Sequence, residues 1–187
     1  MTATVDVLLA GYVVEREEKE HVRPTVSLVR SGDAVIVVDP GIIESPGDIV
    51  AALAERTVTP EDVTHVFLTH HHVDHCRNAG QFPSAIVVDG DSVYDGDVWD
   101  EHPGDGHQLA EGVTVISTPG HSDECASLVV ETAEGTVVLT HAWWFADRTP
   151  EIDPMGSDQA ALEESRRRIL SLADVVIPGH GEAFQTS

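Results

Sequence analysis

Apolar residues along this chain fall into short runs, most of which end in a turn signal. "AVIVVDPG" closes on Asp39, Pro40 and Gly41, which predicts a short buried strand followed by a turn. "HVFLT", "SAIVVD", "VTVIST", "ASLVVE", "TVVLT" and "DVVIP" are further strand candidates, rich in Val and Ile. Two stretches carry helical spacing instead. In "SPGDIVAALAER", Ile49, Ala52 and Leu53 form an apolar stripe, Ser45 can cap the helix and Pro46 suits its first position. In "SDQAALEESRRRILSLA", Ser157 can act as the cap, and Glu163 with Arg167 and Glu164 with Arg168 stand four residues apart as ion pairs. Thr59 and Pro60 predict a short capped turn before "HVFLT". The stretch from Asp89 to Gly106, dense in Asp and Gly, reads as a solvated acidic loop. Strands and helices alternate, with strand pairs between them, which predicts mixed sheets covered by helices in an α/β layered domain.

A length of 187 residues suits one well-buried core, so a single domain over residues 1–187 is expected. No apolar run approaches the roughly 20 residues of a membrane span. "MTATVDVLLAGYVV" has no basic region ahead of its apolar stretch and does not resemble a signal peptide. The expectation is a soluble, cytoplasmic protein with no membrane partner. Cys76 and Cys125 suggest small buried thiols rather than a disulfide framework. The net charge of −23, with Lys19 the only lysine, predicts a halophilic protein working in a salty cytoplasm. That acidity opposes nucleic-acid binding at low salt. Near 1 M salt the Debye length falls to about 3 Å and the objection weakens, so nucleic acid is a possible but disfavoured partner. No pattern speaks to oligomeric state.

The chemistry concentrates in histidines. In "FLTHHHVDHCRNAG", His70 and His72 are two apart and point to one side of an extended backbone, and Asp74 and His75 follow where the chain turns. Imidazole nitrogens with a carboxylate oxygen suit Zn²⁺ and related divalent ions. "VTVISTPGHS" ends in His121, "TVVLTHA" in His141, "DVVIPGH" in His180 and "VIVVDPG" in Asp39. Each lies just past an apolar strand, at the rim where layered α/β domains build ligand sites. Trp143, Trp144 and Phe145 come next after the His141 strand. Such aromatics can line a pocket, and packing is expected to claim at least one of them. His21, His65, His102 and His107 have no such setting.

His70, His72, Asp74 and His75 match the HxHxDH signature of the metallo-β-lactamase superfamily. "VVDPG", "TPGH" and "PGHGE" resemble that family's other landmarks in the correct order, and the resemblance runs from about Val26 to Glu182. It implies an αββα four-layer sandwich with a binuclear metal site between the sheets. By the same resemblance His70, His72 and His121 would hold one metal, and Asp74, His75 and His180 the second. Asp39 would stand behind them and orient ligands. One position departs. The family usually carries Gly-Asp where this chain has "THA", and that Asp bridges both metals. His141 takes its place. A carboxylate spans two metals about 3.5–4 Å apart. A neutral imidazole offers one lone pair, so His141 should bind one metal or none and the second site should be the weaker.

The function so implied is a metal-dependent hydrolase. The cofactor expected is zinc, as two ions, with iron or manganese as substitutes. A metal-bound water would supply hydroxide near neutral pH, and Asp74 would orient it and could pass a proton to the leaving group. Esters, thioesters, lactones and phosphodiesters are the candidate bonds. The preferred substrate is a small anionic molecule, because two zinc ions against Asp74 and one hydroxide leave about two positive charges. Two other readings stand beside it: an iron-dependent sulfur oxidoreductase of the same fold, which normally needs the Asp that His141 replaces, and a non-catalytic metal-binding module.

Overall fold

The Val- and Ile-rich runs form strands in the computed structural model, which describes residues 2–147 and 150–186. The chain opens with β1 (Thr4–Leu9) and a hairpin of β2 (Tyr12–Arg16) and β3 (Lys19–Arg23). β4 (Val26–Ser31), β5 (Ala34–Val38), helix α1 (Gly47–Ala54), β6 (His65–Phe67), the one-turn helix α2 (Val73–Cys76) and β7 (Ile86–Val88) follow. Then come β8 (Ser92–Asp95), β9 (Val98–Glu101), β10 (Gln108–Ala110), β11 (Val113–Ser117), β12 (Ala126–Thr132) and β13 (Gly135–Leu139). Helix α3 (Gln159–Leu172), β14 (Val175–Ile177) and β15 (Phe184–Gln185) complete the order.

Two mixed sheets result, in strand orders β1-β4-β5-β6-β7-β8-β9 and β10-β11-β12-β13-β14-β15, while β2 and β3 pair only with each other. Successive side chains on a strand point to opposite faces, and the core is sorted accordingly. Val29, Ile36 and Val38 of the first sheet meet Val115, Leu128 and Leu139 of the second. Their neighbours Leu28 and Val37 face outward and are covered by Ile49 and Leu53 of α1. On the far side, Val138 and Val176 are covered by Leu162 and Ile169 of α3. The layers are therefore helix, sheet, sheet, helix, the αββα sandwich.

Pairing directions place the site. β5 and β6 run parallel, as do β13 and β14, and β11 lies antiparallel to β12, which is antiparallel to β13. The C-terminal ends of β11, β13 and β14 thus share one edge, and those of β5 and β6 share another. Asp39, His70, His121, His141 and His180 all follow these ends.

Four local expectations are corrected. Ser45 makes no side-chain cap: the N-cap of α1 is Pro46, and the Ser45 carbonyl accepts from Asp48 N instead. Asp158 rather than Ser157 caps α3, its carboxylate accepting from the Ala160 and Ala161 N–H groups, while the Ser157 hydroxyl bonds Asp123. The α3 ion pairs are three residues apart, Arg166 with Glu163 and Arg167 with Glu164, because Arg168 reaches across to Asp105. The acidic stretch after Asp89 is not all loop. β8 and β9 form a hairpin whose turn uses Gly96 at φ +63°, a conformation that favours glycine. The Thr59 turn forms as expected, with Thr59 and Asp62 capping each other. None of the described helices is long and apolar enough to cross a membrane.

Candidate metal centre

Backbone geometry at two strand ends sets the first ligands. After β6 the chain stays extended, so His70 and His72 project to one side and His71 to the other, where its Nε2 lies 2.9 Å from Asp89 Oδ2. His72 is the N-cap of α2, and that single turn brings Asp74 and His75 round to the same side. The loop after β5 locks this turn in place. Gly41 lies so close that a Cβ there would sit 1.5 Å from the Asp74 carbonyl oxygen, so only glycine fits. Asp39 sits at φ +49°, an uncommon conformation for a non-glycine residue that Asp tolerates better than most. From there its carboxylate accepts from Thr69 N and Oγ1 at 2.8 and 2.7 Å and meets His75 Nδ1 at 2.8 Å.

The structure gathers the ligand-type atoms of His70, His72 and His121 within 4.8 Å of one another, and likewise those of Asp74, His75 and His180. Hydrogen bonds to pure acceptors fix which nitrogen faces inward. His75 Nδ1–H donates to Asp39, His121 Nδ1–H to Asp153 Oδ2 at 2.7 Å, and His180 Nδ1–H to the Arg23 carbonyl at 3.0 Å. With Nδ1 so engaged, each ring turns its Nε2 into the site, the atom through which a neutral imidazole would ligate a metal. His72 presents Nδ1, 2.9 Å from His121 Nε2. The Nε2 atoms of His70 and His75 are buried and have no hydrogen-bond partner. Buried polar nitrogens without partners cost free energy, and convergent lone pairs are what a cation would satisfy. The residues present therefore fit divalent metal in both donor sets. Asp74 completes the second set, with Oδ2 3.4 Å from His75 Nε2 and 3.6 Å from His180 Nε2.

His141 lies between the two sets. Its ring centroid is 4.1 Å from that of His121, 4.5 Å from His70 and 4.6 Å from His75, and it groups with His70 and His75 as a third ligand-type cluster. The imidazole fits there because Gly179 has no side chain: a Cβ at 179 would lie 2.4 Å from His141 Cδ2. Its Nε2 lies 3.2 Å from His180 Nε2 and its buried Nδ1 has no partner. Burial first, and then the proximity of the other imidazoles, pushes His141 and His70 well below the usual imidazole range and His180 to about 4. These rings are held neutral, the form that binds metal.

Beside this cluster opens a pocket of about 360 Å³, floored by His72, Asp74, His121, His141 and His180. Trp144 lines it, whereas Trp143 is buried against Phe184, so the two tryptophans divide between pocket and core. Asp153 joins the site with no signal in the sequence. It is buried, and besides His121 it accepts from Trp144 Nε1 at 3.1 Å and Met155 N at 2.9 Å. Burial pushes its carboxyl up, but these donors outweigh that and hold it below its ordinary range. It sits in an irregular segment with no strand end or motif to mark it. Cys125 is buried and its thiol is pushed up to about 12, so it is no thiolate at neutral pH; Cys76 is partly buried and also raised by burial. His102 and His107 stack on each other at 4.0 Å, and neither lines the pocket.

Residues 22–180 match the family described as the metallo-beta-lactamase superfamily. Metallo-beta-lactamase domain-containing protein 1 of Homo sapiens is 39% identical over 157 residues, an alignment covering 80% of this chain and 59% of the human protein. Among solved structures, a Thermotoga maritima protein provisionally described as a metallo-beta-lactamase superposes with a TM-score of 0.77 at 19% identity, covering 99% of this chain and 100% of that one. An N-acyl homoserine lactone hydrolase, solved with N-hexanoyl-L-homoserine at its catalytic metal centre, superposes with a TM-score of 0.67 at 18% identity, covering 97% of this chain and 94% of its own. At these identities the structural likeness speaks to the fold.

Proposed function

The chain belongs to the metallo-β-lactamase superfamily, and on that premise we propose that it is a zinc-dependent hydrolase with a binuclear site, acting on a small-molecule ester, thioester, lactone or phosphodiester. His70, His72 and His121 would hold one ion; Asp74, His75 and His180 the other. One observation carries the reading: inward lone pairs, fixed by outward hydrogen bonds from His75, His121 and His180, converge beside an open pocket. A purely structural metal site would have no need of that opening. The human relative and the product-bound lactone hydrolase add support from the family and the fold.

Bound there, divalent ions would lower the pKa of a water towards 7 and offset negative charge developing on the scissile group. The chain's own residues supply the rest. Asp74 borders the pocket with its side chain 22% exposed, so its carboxylate can take a proton from water and return it to a leaving group. Asp39 and Asp153 hold the His75 and His121 rings in orientation through Nδ1. Trp144 and Val73 give the pocket apolar walls that limit water around the reacting group. Asp74 is the sole carboxylate among the grouped ligand-type residues, so a loaded site stays cationic at its floor and favours a group that gathers negative charge.

The test is metal analysis of the isolated protein, then assay of a panel of the four bond classes with zinc or manganese. Asp74→Ala should lower kcat by roughly 10² or more with the fold intact by circular dichroism. Hydrolysis that persists unchanged in both Asp74→Ala and His121→Ala would place the reaction elsewhere and end this reading.

A further inference from the structure

Between the two sheets, behind the histidine cluster, lies a second and much smaller cavity of about 10 Å³. That is room for one water molecule, and every residue lining the cavity is buried. We propose that it is the site of a single bound water, held by Ser27 and Thr140, which joins the two sheets and steadies Asp39 behind the second set of metal ligands. Ser27 lies on β4 two residues before Val29, so it faces the same inter-sheet core. Its hydroxyl stands where an apolar side chain would pack. It is fully buried, lines the cavity and has no hydrogen-bond partner. A buried hydroxyl left in that state is worse than an apolar group of the same shape.

The second sheet brings a run of three hydroxyls to the same cavity. Ser127 Oγ donates to Thr140 Oγ1 at 2.6 Å, so in the 2.8 Å contact between Thr118 Oγ1 and Ser127 Oγ the donor is Thr118. Thr140 Oγ1 accepts from Ser127 and, at 3.0 Å, from Ala142 N. Both of its lone pairs are then taken, and its own proton has no acceptor among the described residues. Thr140 and Asp39 both line the cavity. Asp39 Oδ2 accepts from Thr69 Oγ1 and His75 Nδ1, whereas Oδ1 accepts only from Thr69 N and has a lone pair to spare. One water satisfies all three groups: it accepts the Thr140 proton, hydrogen-bonds Ser27 Oγ and donates to Asp39. A cation of the same size would give the Thr140 proton no acceptor, and only Asp39 and His75 would separate it from divalent ions. Asp39 in turn fixes the His75 ring through Nδ1, so the water acts on that ligand set in particular.

The water site stands apart from the hydrolase reading, while its action on metal rests on the ligand sets assigned there. A crystal of the zinc-loaded protein, at a resolution that orders buried water, should show one peak in the cavity about 2.5–3.0 Å from Ser27 Oγ and Thr140 Oγ1. Replacing potassium by rubidium in the crystal should leave that peak without anomalous signal. Ser27→Ala gives the sign of the effect. If the hydroxyl is bonded to water, its loss should lower the folding equilibrium constant about fivefold in urea titrations at saturating zinc. A hydroxyl with no partner is better absent, and the constant would rise. In chelator competition the same variant should weaken the zinc step held by His75 about threefold, less than the loss of a direct support, and leave the His121 step unmoved. An unfilled cavity, a rubidium signal or stabilisation by Ser27→Ala would overturn the water site. Both zinc steps weakened alike, or neither weakened, would overturn its action through Asp39. None of these readouts uses turnover, so either failure leaves the hydrolase reading in place.

Discussion

Replacing Asp153 by Asn tests how the site is held together. The Asp153 carboxylate is buried, and one oxygen accepts from both His121 Nδ1 and Trp144 Nε1 while the other accepts from Met155 N. Asn has the same shape but one acceptor oxygen. Turned towards His121 and Trp144, it sets an NH₂ against the Met155 N–H and leaves that donor unpaired; turned the other way, it abandons two donors. The first orientation is the cheaper, and a lost buried hydrogen bond costs about 1–3 kcal/mol. The protein without metal should therefore lose about that much in denaturant unfolding. The charge is lost as well, so His121 becomes a weaker donor at Nε2. Removing such a support of a ligating histidine weakens metal binding about 10- to 100-fold, or roughly 1.4–2.7 kcal/mol. Competition titration with a chelator should show the tighter zinc step weakened by that factor and the other step, supported by Asp39, little changed. Equal weakening of both steps, or of neither, would refute the assignment of Asp153 to the His121 metal.

Further outcomes follow from the same geometry. His141→Asp supplies a carboxylate between the two ligand sets and should tighten the weaker zinc step; two equal steps in the parent, unmoved by the substitution, would contradict the role given to His141. The metal-free protein should lose stability as pH falls below about 6.5. His70, His141 and His180 are held neutral when folded but take up protons near 6.5 when unfolded, so their contribution is present above 6.5 and is lost as pH falls, for His180 on the way down to about 4. Each contributes a slope of about 1.4 kcal/mol per pH unit inside its window, and stability that stays flat from pH 7.5 to 5 in urea titrations would be inconsistent with neutral rings. With a net charge of −23, the melting temperature should climb as KCl is raised into the molar range, and a protein equally stable in dilute buffer would remove the case for adaptation to brine.

His70, His121, His141 and His180 were legible as one cluster because each comes just after a Val-, Ile- or Phe-containing strand, so strand pairing alone carries His121, His141 and His180 to one edge. Asp39 was legible for the same reason. Asp153 was not, because it reaches His121 from an irregular segment whose position no periodicity encodes. The β2–β3 hairpin is not legible for a different reason. Its turn places Glu17 and Glu18 at φ +52° and +59°, where Asn or Gly would ordinarily signal a hairpin. The β8–β9 hairpin has a Gly96 turn, but the acidic residues around it mask the alternation. At the start of α3, Ser157 and Asp158 are both capping residues, and the choice rests on tertiary contact: Asp123 engages the Ser157 hydroxyl and leaves Asp158 to the helix. The His141 pocket depends on Gly179, which reads in the sequence only as a turn residue.

The most direct test of the account is a crystal of the zinc-loaded protein measured on both sides of the zinc absorption edge. Two anomalous peaks are expected. The stronger should lie about 2.0–2.1 Å from His70 Nε2, His72 Nδ1 and His121 Nε2, and the weaker at similar distances from His75 Nε2, His180 Nε2 and an oxygen of Asp74. A crystal with no peak inside the histidine cluster, or with zinc bound only at the acidic surface, would contradict it.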